Sequence, residues 1–144
     1  TDPNELRHDV ALIIEGKKIY VSKQYLSLHS PFFNSLFYGE FVEKDKKEIE
    51  LKDVDREEFL EILNVIYPSY GTIKDENVQF LLKLGDRFQI KLVLDLCEAH
   101  LITSNAHELA SKLLLSDKYR LVKLQDHCLS KLTTTQDFKA IKVL

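Results

Sequence analysis

Strand-forming sequence is confined to the first 51 of 144 residues, and everything after it recurs with a helical period. Val10–Ala11–Leu12–Ile13–Ile14 is an aliphatic run closed by Glu15. Gly16–Lys17 is a turn signal, and Lys18–Ile19–Tyr20–Val21 alternates. This pattern predicts a hairpin. Glu48–Ile49–Glu50–Leu51 alternates again and predicts a third strand. Asp55 with Glu58 forms a capping-box-like pair ahead of Phe59, Leu60, Ile62, Leu63, Ile66 and Tyr67, and Pro68 ends that helix. Asn77 is placed to cap Val78, Leu81, Leu82 and Phe88, and Leu92, Val93, Leu96, Cys97 and Leu101 make the next helix. Ser104 or Asn105 is expected to open another through Leu109, Ala110, Leu113 and Leu114, followed by one through Leu121, Leu124, Cys128, Leu129 and Leu132. Phe138, Ile141 and Leu144 are spaced as the start of a last one. Strands first and helices afterwards imply an α+β fold with segregated layers, a small sheet capped by helices and then helical hairpins. No low-complexity linker or fixed-period repeat is expected to divide it.

Residues 22 to 51 carry the unusual features. Ser22 can cap a short helix bearing Tyr25, Leu26 and Leu28. Ser30–Pro31 restarts a helix, with serine at the cap and proline at its first position. Phe32, Phe33, Leu36 and Phe37 follow, and Gly39 is a natural stop. Adjacent residues point about 100° apart on a helix, so Phe32 and Phe33 cannot readily enter one small core together. One of them is available to a partner surface. Phe41 then stands between the helix stop and the near-neutral run Glu43–Lys44–Asp45–Lys46–Lys47–Glu48, which reads as a solvated loop. An aromatic there is either an anchor for a partner or a lid folded onto the core.

Composition closes off several classes. A net charge of −3 gives no electrostatic footprint for nucleic acid or an anionic membrane. The longest apolar run, Val10–Ile14, is too short to span a bilayer, and no basic-then-apolar leader precedes it. The four glycines lie far apart, which argues against a phosphate-cradling loop. Cys97 and Cys128 both continue leucine ladders. They read as buried free thiols in a reducing compartment, cytoplasm and/or nucleus, more readily than as a disulfide. With His100 and His127 they match no zinc spacing, so core packing is favoured over a metal. The five histidines (8, 29, 100, 107 and 127) fall in no catalytic frame, and neither an enzyme nor a cofactor is expected. No methionine occurs, not even at position 1, so the sequence is expected to be a piece of a larger protein.

From Asp9 to about Leu101 the sequence resembles the BTB/POZ domain. The resemblance rests on Asp9–Val10, Ser22–Lys23 with Leu26, Ser30–Pro31–Phe32–Phe33 with Leu36–Phe37, and Ile49 with Leu51. It continues through Asp53–Val54, Phe59, Ile66–Tyr67, Leu81–Leu82, Asp86 and Phe88. Their order and spacing together carry it. Two positions depart: the family usually has histidine where Ser22 stands and often alanine at Gly85. The first alters the groove that receives co-repressor peptides in repressor-type members.

Ser22–Lys23–Gln24–Tyr25–Leu26 is most similar to the branch in which a MATH domain precedes the BTB domain. The resemblance implies a BTB/POZ domain over 9–103, after an N-terminal segment 1–8. A helical extension over 104–144 is similar to a 3-box or the start of a BACK region. It implies a homodimer through Leu6, Asp9, Lys23, Tyr25, Leu26, Phe32 and Phe33, with Asp9 and Lys23 forming a partly buried pair. It also implies a cullin-3 ubiquitin-ligase adaptor that binds cullin-3 through the apolar–any–Glu triplet Phe41–Val42–Glu43, with Tyr67 and Tyr119. The protein substrate would be captured by a flanking MATH domain. The alternative is a self-association domain of a transcriptional repressor or scaffold.

Overall fold

A computed structural model describes residues 8–39, 46–67 and 71–132. The chain starts as β1 (Val10–Ile14) and β2 (Lys17–Val21), paired antiparallel with Ile14 opposite Lys17. The two turn residues are therefore Glu15 and Gly16, one place earlier than the sequence suggested, at φ 53° and 77°. Two left-handed residues in succession are what a tight hairpin matching the strand twist requires. Helices α1 (Lys23–His29) and α2 (Pro31–Tyr38) follow. Ser22 Oγ accepts from the Tyr25 amide and Ser30 Oγ from the Phe33 amide. Ser30 Oγ is buried and also donates to the Phe88 carbonyl, which ties the start of α2 to a helix far along the chain. Gly39 ends α2 as expected, but in an extended conformation. It is needed there because a Cβ would stand 2.4 Å from the Ser35 carbonyl oxygen.

Strand β3 (Glu48–Glu50) runs parallel to β1, so the sheet order is β2-β1-β3. Helix α3 (Arg56–Ile66) is capped by Asp55, which accepts from the Glu58 amide. Glu15 in the hairpin turn accepts from the Arg56 amide and locks the sheet to the start of α3. Helices α4 (Val78–Arg87), α5 (Lys91–Thr103), α6 (Leu109–Lys118) and α7 (Val122–Ser130) complete the described residues. Leu12, Ile14, Leu26, Phe33, Phe37, Phe59, Leu81, Leu82 and Phe88 lie at the centre of the core, between the sheet and the helices.

Two sequence expectations need correction. Asn77 precedes α4 but makes no side-chain cap. Its amide instead holds the preceding loop, accepting from Lys74 and donating to Glu61 and Thr72. Ser104 ends α5 rather than opening α6. Its hydroxyl is committed to Asp75 and to the Ala106 amide, so the new helix starts only at Leu109.

The chain also carries the internal repeat that the sequence reading did not expect. Asp86-Arg87-Phe88-Gln89-Ile90 recurs as Asp117-Lys118-Tyr119-Arg120-Leu121, and Asp95 and Cys97 recur as Asp126 and Cys128. The geometry repeats with it. Gln89 and Arg120 have φ 54° and 57°. The Ile90 amide donates to the Gly85 carbonyl, and the Leu121 amide to the Ser116 carbonyl, both at 2.8 Å. α4–α5 and α6–α7 are thus two copies of one helical hairpin, with α5 packed on α7.

Candidate interaction surface

Tyr25 and Tyr67 organise one face of the molecule. Their rings are 4.6 Å apart, and His29 stands edge-on to Tyr25 at 4.9 Å. The Tyr25 hydroxyl donates to the Ile66 carbonyl at the end of α3, and the Tyr67 hydroxyl accepts from the Ser22 amide at 3.0 Å. Burial raises both phenol pKa values and lowers that of His29. Near neutrality this cluster therefore presents uncharged aromatic edges. Next to it Asp9 accepts from the Lys23 amide at 2.9 Å, supporting the first turn of α1. In the single chain this contact is a helix-start bond at the surface, with Asp9 exposed and Lys23 half-buried.

The structure divides the expected dimer residues. Leu26 and Phe33 are fully buried inside the chain's own core. They support the face and do not form it. Tyr25 and Phe32 are half-buried, and Leu28, one turn from Tyr25 on α1, is 77% exposed. The sequence named Leu28 only as a helix position. Tyr25 and Leu28 are therefore neighbours one turn apart on α1, and Phe32 at the start of α2 is also only partly covered. Leu6 and the triplet Phe41–Val42–Glu43 lie outside the described residues. Tyr67 belongs with Tyr25, while Tyr119 sits half-buried at the α6–α7 turn with the Lys118 ammonium 5.3 Å over its ring. At the other end of α6 and α7 from that turn, Ile102, Asn105, Leu109, Lys112, His127 and Lys131 line a cleft of about 260 Å³ between α5, α6 and α7.

Two groups that sequence reasoning left unused hold the second hairpin in place. Glu98, buried on α5, accepts from the Leu124 amide in the first turn of α7. Asp75, in the loop before α4, accepts from Ser104 Oγ and contacts His100 Nε2, both at 2.7 Å, with His107 Nε2 at 3.9 Å. The Ser104 hydrogen bond, then that of His100, lowers the Asp75 pKa. A depressed carboxylate contributes stability above its unfolded pKa, near 3.9, and loses it as pH falls through the folded value. Asp75→Asn is expected to lower the melting temperature at pH 7, with the gap to wild type closing below about pH 4. A gap that persists at pH 2 would show that the charge is not what matters.

Both cysteines are free and buried, and burial pushes the Cys97 thiol up to about 12. Ellman's reagent at pH 8 is expected to find no fast-reacting thiol in the folded chain and two after denaturation. One fast native thiol would mean that α5 or α7 opens locally. Among the described residues, no group of three or more His, Cys, Asp or Glu is arranged to hold a metal ion. Nor is any described helix long and apolar enough to cross a membrane.

A profile of the BTB/POZ domain matches residues 3–105. The chain belongs to the BTB/POZ family. Two curated relatives from Caenorhabditis elegans extend the likeness past the BTB domain into α6 and α7. "BTB and MATH domain-containing protein 38" is 44% identical over 135 residues, which are 94% of this chain and 35% of the relative. "BTB and MATH domain-containing protein 36" is 45% identical over 140 residues, 97% of this chain and 44% of the relative. The chain thus spans less than half the length of these two relatives. Among solved structures, the BTB domain of zebrafish PATZ1 superposes with a TM-score of 0.56 at 23% identity, covering 67% of this chain and 76% of that one. That likeness speaks for the BTB fold alone.

Proposed function

We propose that this BTB chain is the adaptor part of a cullin-3 ubiquitin ligase. It is a non-enzymatic module that dimerises through Tyr25, Leu28 and Phe32 and brings a protein substrate held by a flanking MATH domain. The observation that carries the reading is the triplet Phe41–Val42–Glu43 shortly after α2 in a chain similar to relatives that bear BTB and MATH names. The cleft between α5, α6 and α7 supports it, since Ile102 and Leu109 with Lys112, His127 and Lys131 offer apolar and basic groups to an extended segment of the cullin. The uncovered Leu28 supports the dimer.

In an extended segment, side chains two apart point the same way, so Phe41 and Glu43 would meet the cullin together. An aromatic anchor costs about 2 kcal/mol or more when truncated, roughly thirty-fold in affinity. Calorimetric titration with the cullin-3 N-terminal domain is expected to show that loss for Phe41→Ala, a smaller one for Glu43→Ala and almost none for Lys46→Ala. Light scattering should give twice the 16.8 kDa chain mass, and Leu28→Asp should lower it. Wild-type cullin affinity in Phe41→Ala, or a Phe41→Ala chain that no longer folds, would make Phe41 a lid on the core and remove the basis of the adaptor reading.

A further inference from the structure

The second helical hairpin repeats the first with one substitution that packing does not explain. In the register that aligns Ile90 with Leu121, Leu81 on α4 aligns with Lys112 on α6. Leu81 is fully buried in the core. Lys112 is buried as well, at 9% exposed, although lysine is among the residues least often found inside. Its ammonium donates to the Ser104 carbonyl at 2.6 Å, which uses one of its three donors. Burial raises the Cys128 thiol pKa and the Lys112 ammonium acts against it, so the charge lies close to α7. Among the described residues no carboxylate pairs with Lys112. A buried cation without a counter-charge costs stability, a cost that leucine at the equivalent position avoids.

Lys112 lines the cleft between α5, α6 and α7, where His127 and Lys131 join it. The lining thus holds three basic side chains and no acid, and none of the three makes an ion pair among the described residues. We infer that this cleft is a seat for an extended acidic segment of a partner protein, whose carboxylate pairs with Lys112 while a neighbouring apolar side chain packs on Ile102 and Leu109. The inference rests on the cleft being a peptide seat, as proposed above, and adds the charge that its occupant carries. A carboxylate arriving there supplies the missing counter-charge and takes the open donors of Lys112, in charge-assisted bonds that a poorly hydrated site strengthens. The apolar walls argue for a segment over a free anion, which would gain nothing from them. A volume of about 260 Å³ lies just under the roughly 300–1,000 Å³ of small-molecule pockets, so it suits a few side chains rather than a folded element.

Amide NMR spectra of the full 144-residue chain, titrated with the blocked peptide acetyl-Ser-Leu-Glu-Leu-Ser-amide, test this. The amides of Lys112, His127 and Lys131 are expected to shift and to saturate at millimolar peptide. The same peptide with glutamine for glutamate should bind at least about ten-fold more weakly, and so should the acidic peptide to Lys112→Leu. Lys131→Ala, at an exposed position, should also weaken binding, while Lys123→Ala, on α7 outside the cleft, should change nothing. Lys112→Leu is expected to melt no lower than wild type, because it replaces an unpaired buried charge by an apolar group. No saturable shift at the cleft, equal binding of the glutamine peptide, or wild-type binding by Lys112→Leu would overturn the inference. So would a lower melting temperature in Lys112→Leu, which would make Lys112 a brace on the Ser104 carbonyl. Shifts reproduced by inorganic phosphate at the same concentration would overturn it as well, in favour of a free anion. The titration contains no cullin, so its failure leaves the Phe41→Ala test of the adaptor reading standing, and failure of that test leaves the charged cleft standing.

Discussion

Phe33→Ala is expected to destabilise the folded chain by about 3–5 kcal/mol, equally at low and high protein concentration. Phe33 is fully buried, with Phe88 and Phe37 stacked on it at 5.3 and 5.7 Å and Phe32 and Phe59 edge-on at 5.2 and 6.3 Å. Truncation would remove the ring's transfer energy, leave a cavity, and break several aromatic contacts each worth about 0.5–1.5 kcal/mol. The family resemblance implied that this residue lies in the dimer interface, and the two placements differ in a measurable way. A residue that packs across a dimer loses its contribution on dilution, because the apparent stability then depends on protomer concentration. Urea titrations at two protein concentrations a hundred-fold apart would separate them. A loss confined to the higher concentration would return Phe33 to the interface. Phe32→Ala gives the contrast: half-buried beside Phe88, it should cost less in the dilute chain and more in dimer mass.

The elements legible in the sequence are those whose ends carry polar chemistry. Ser22, Ser30 and Asp55 each cap a helix because a short oxygen side chain satisfies an amide that the helix leaves open. That rule needs no tertiary information. The repeat was hidden because its joints lack such signals. The helices α5 and α7 begin after Ile90 and Leu121, which offer no cap, and the left-handed turn residues are Gln89 and Arg120 rather than glycine or asparagine. Both joints are held by buried leucine-type side chains and a backbone bond, and only a register comparison of the two segments exposes them. Ser104 misled for the opposite reason. It has the chemistry of a helix start, but Asp75 uses its hydroxyl first, across 29 residues of sequence.

The interaction face was legible only in part. That one of Phe32 and Phe33 exceeds one small core was recognisable, without showing which, and Tyr25 entered only through the family resemblance. The sorting of Tyr25 and Phe32 from Leu26 and Phe33 depends on where α3 and α4 lie, and no local pattern encodes that. The bond from Tyr25 to the Ile66 carbonyl joins residues 41 apart. The same limit applied to Glu98, a carboxylate in a leucine ladder that looks like an ordinary solvated position until α7 is packed over it.

Glu98 is the second site of large effect. Its Oε2 accepts from the Leu124 amide at 3.0 Å, in the first turn of a helix whose cap residue, Leu121, has no side chain to offer. Glu98→Ala would leave that buried amide unpaired, at about 1–3 kcal/mol. It would also remove a negative charge from the positive end of the α7 dipole, about 0.3–1 kcal/mol and up to about 2 when partly buried. The release of a desolvated carboxylate offsets some of this. The expected net loss is about 2–4 kcal/mol, concentrated in α7. Glu98→Gln keeps an acceptor oxygen and should lose less than half as much. The decisive variant is Glu98→Leu, which places at this position the residue found at its counterpart, Leu129. Leucine restores the volume and apolar contact but offers the Leu124 amide nothing. If hydrogen bonding to that amide sets the register of α7 on α5, Glu98→Leu should be nearly as unstable as Glu98→Ala, with fast exchange at Leu124. A Glu98→Leu chain as stable as wild type, with Leu124 still protected, would mean that apolar packing alone seats α7 and that the carboxylate is dispensable.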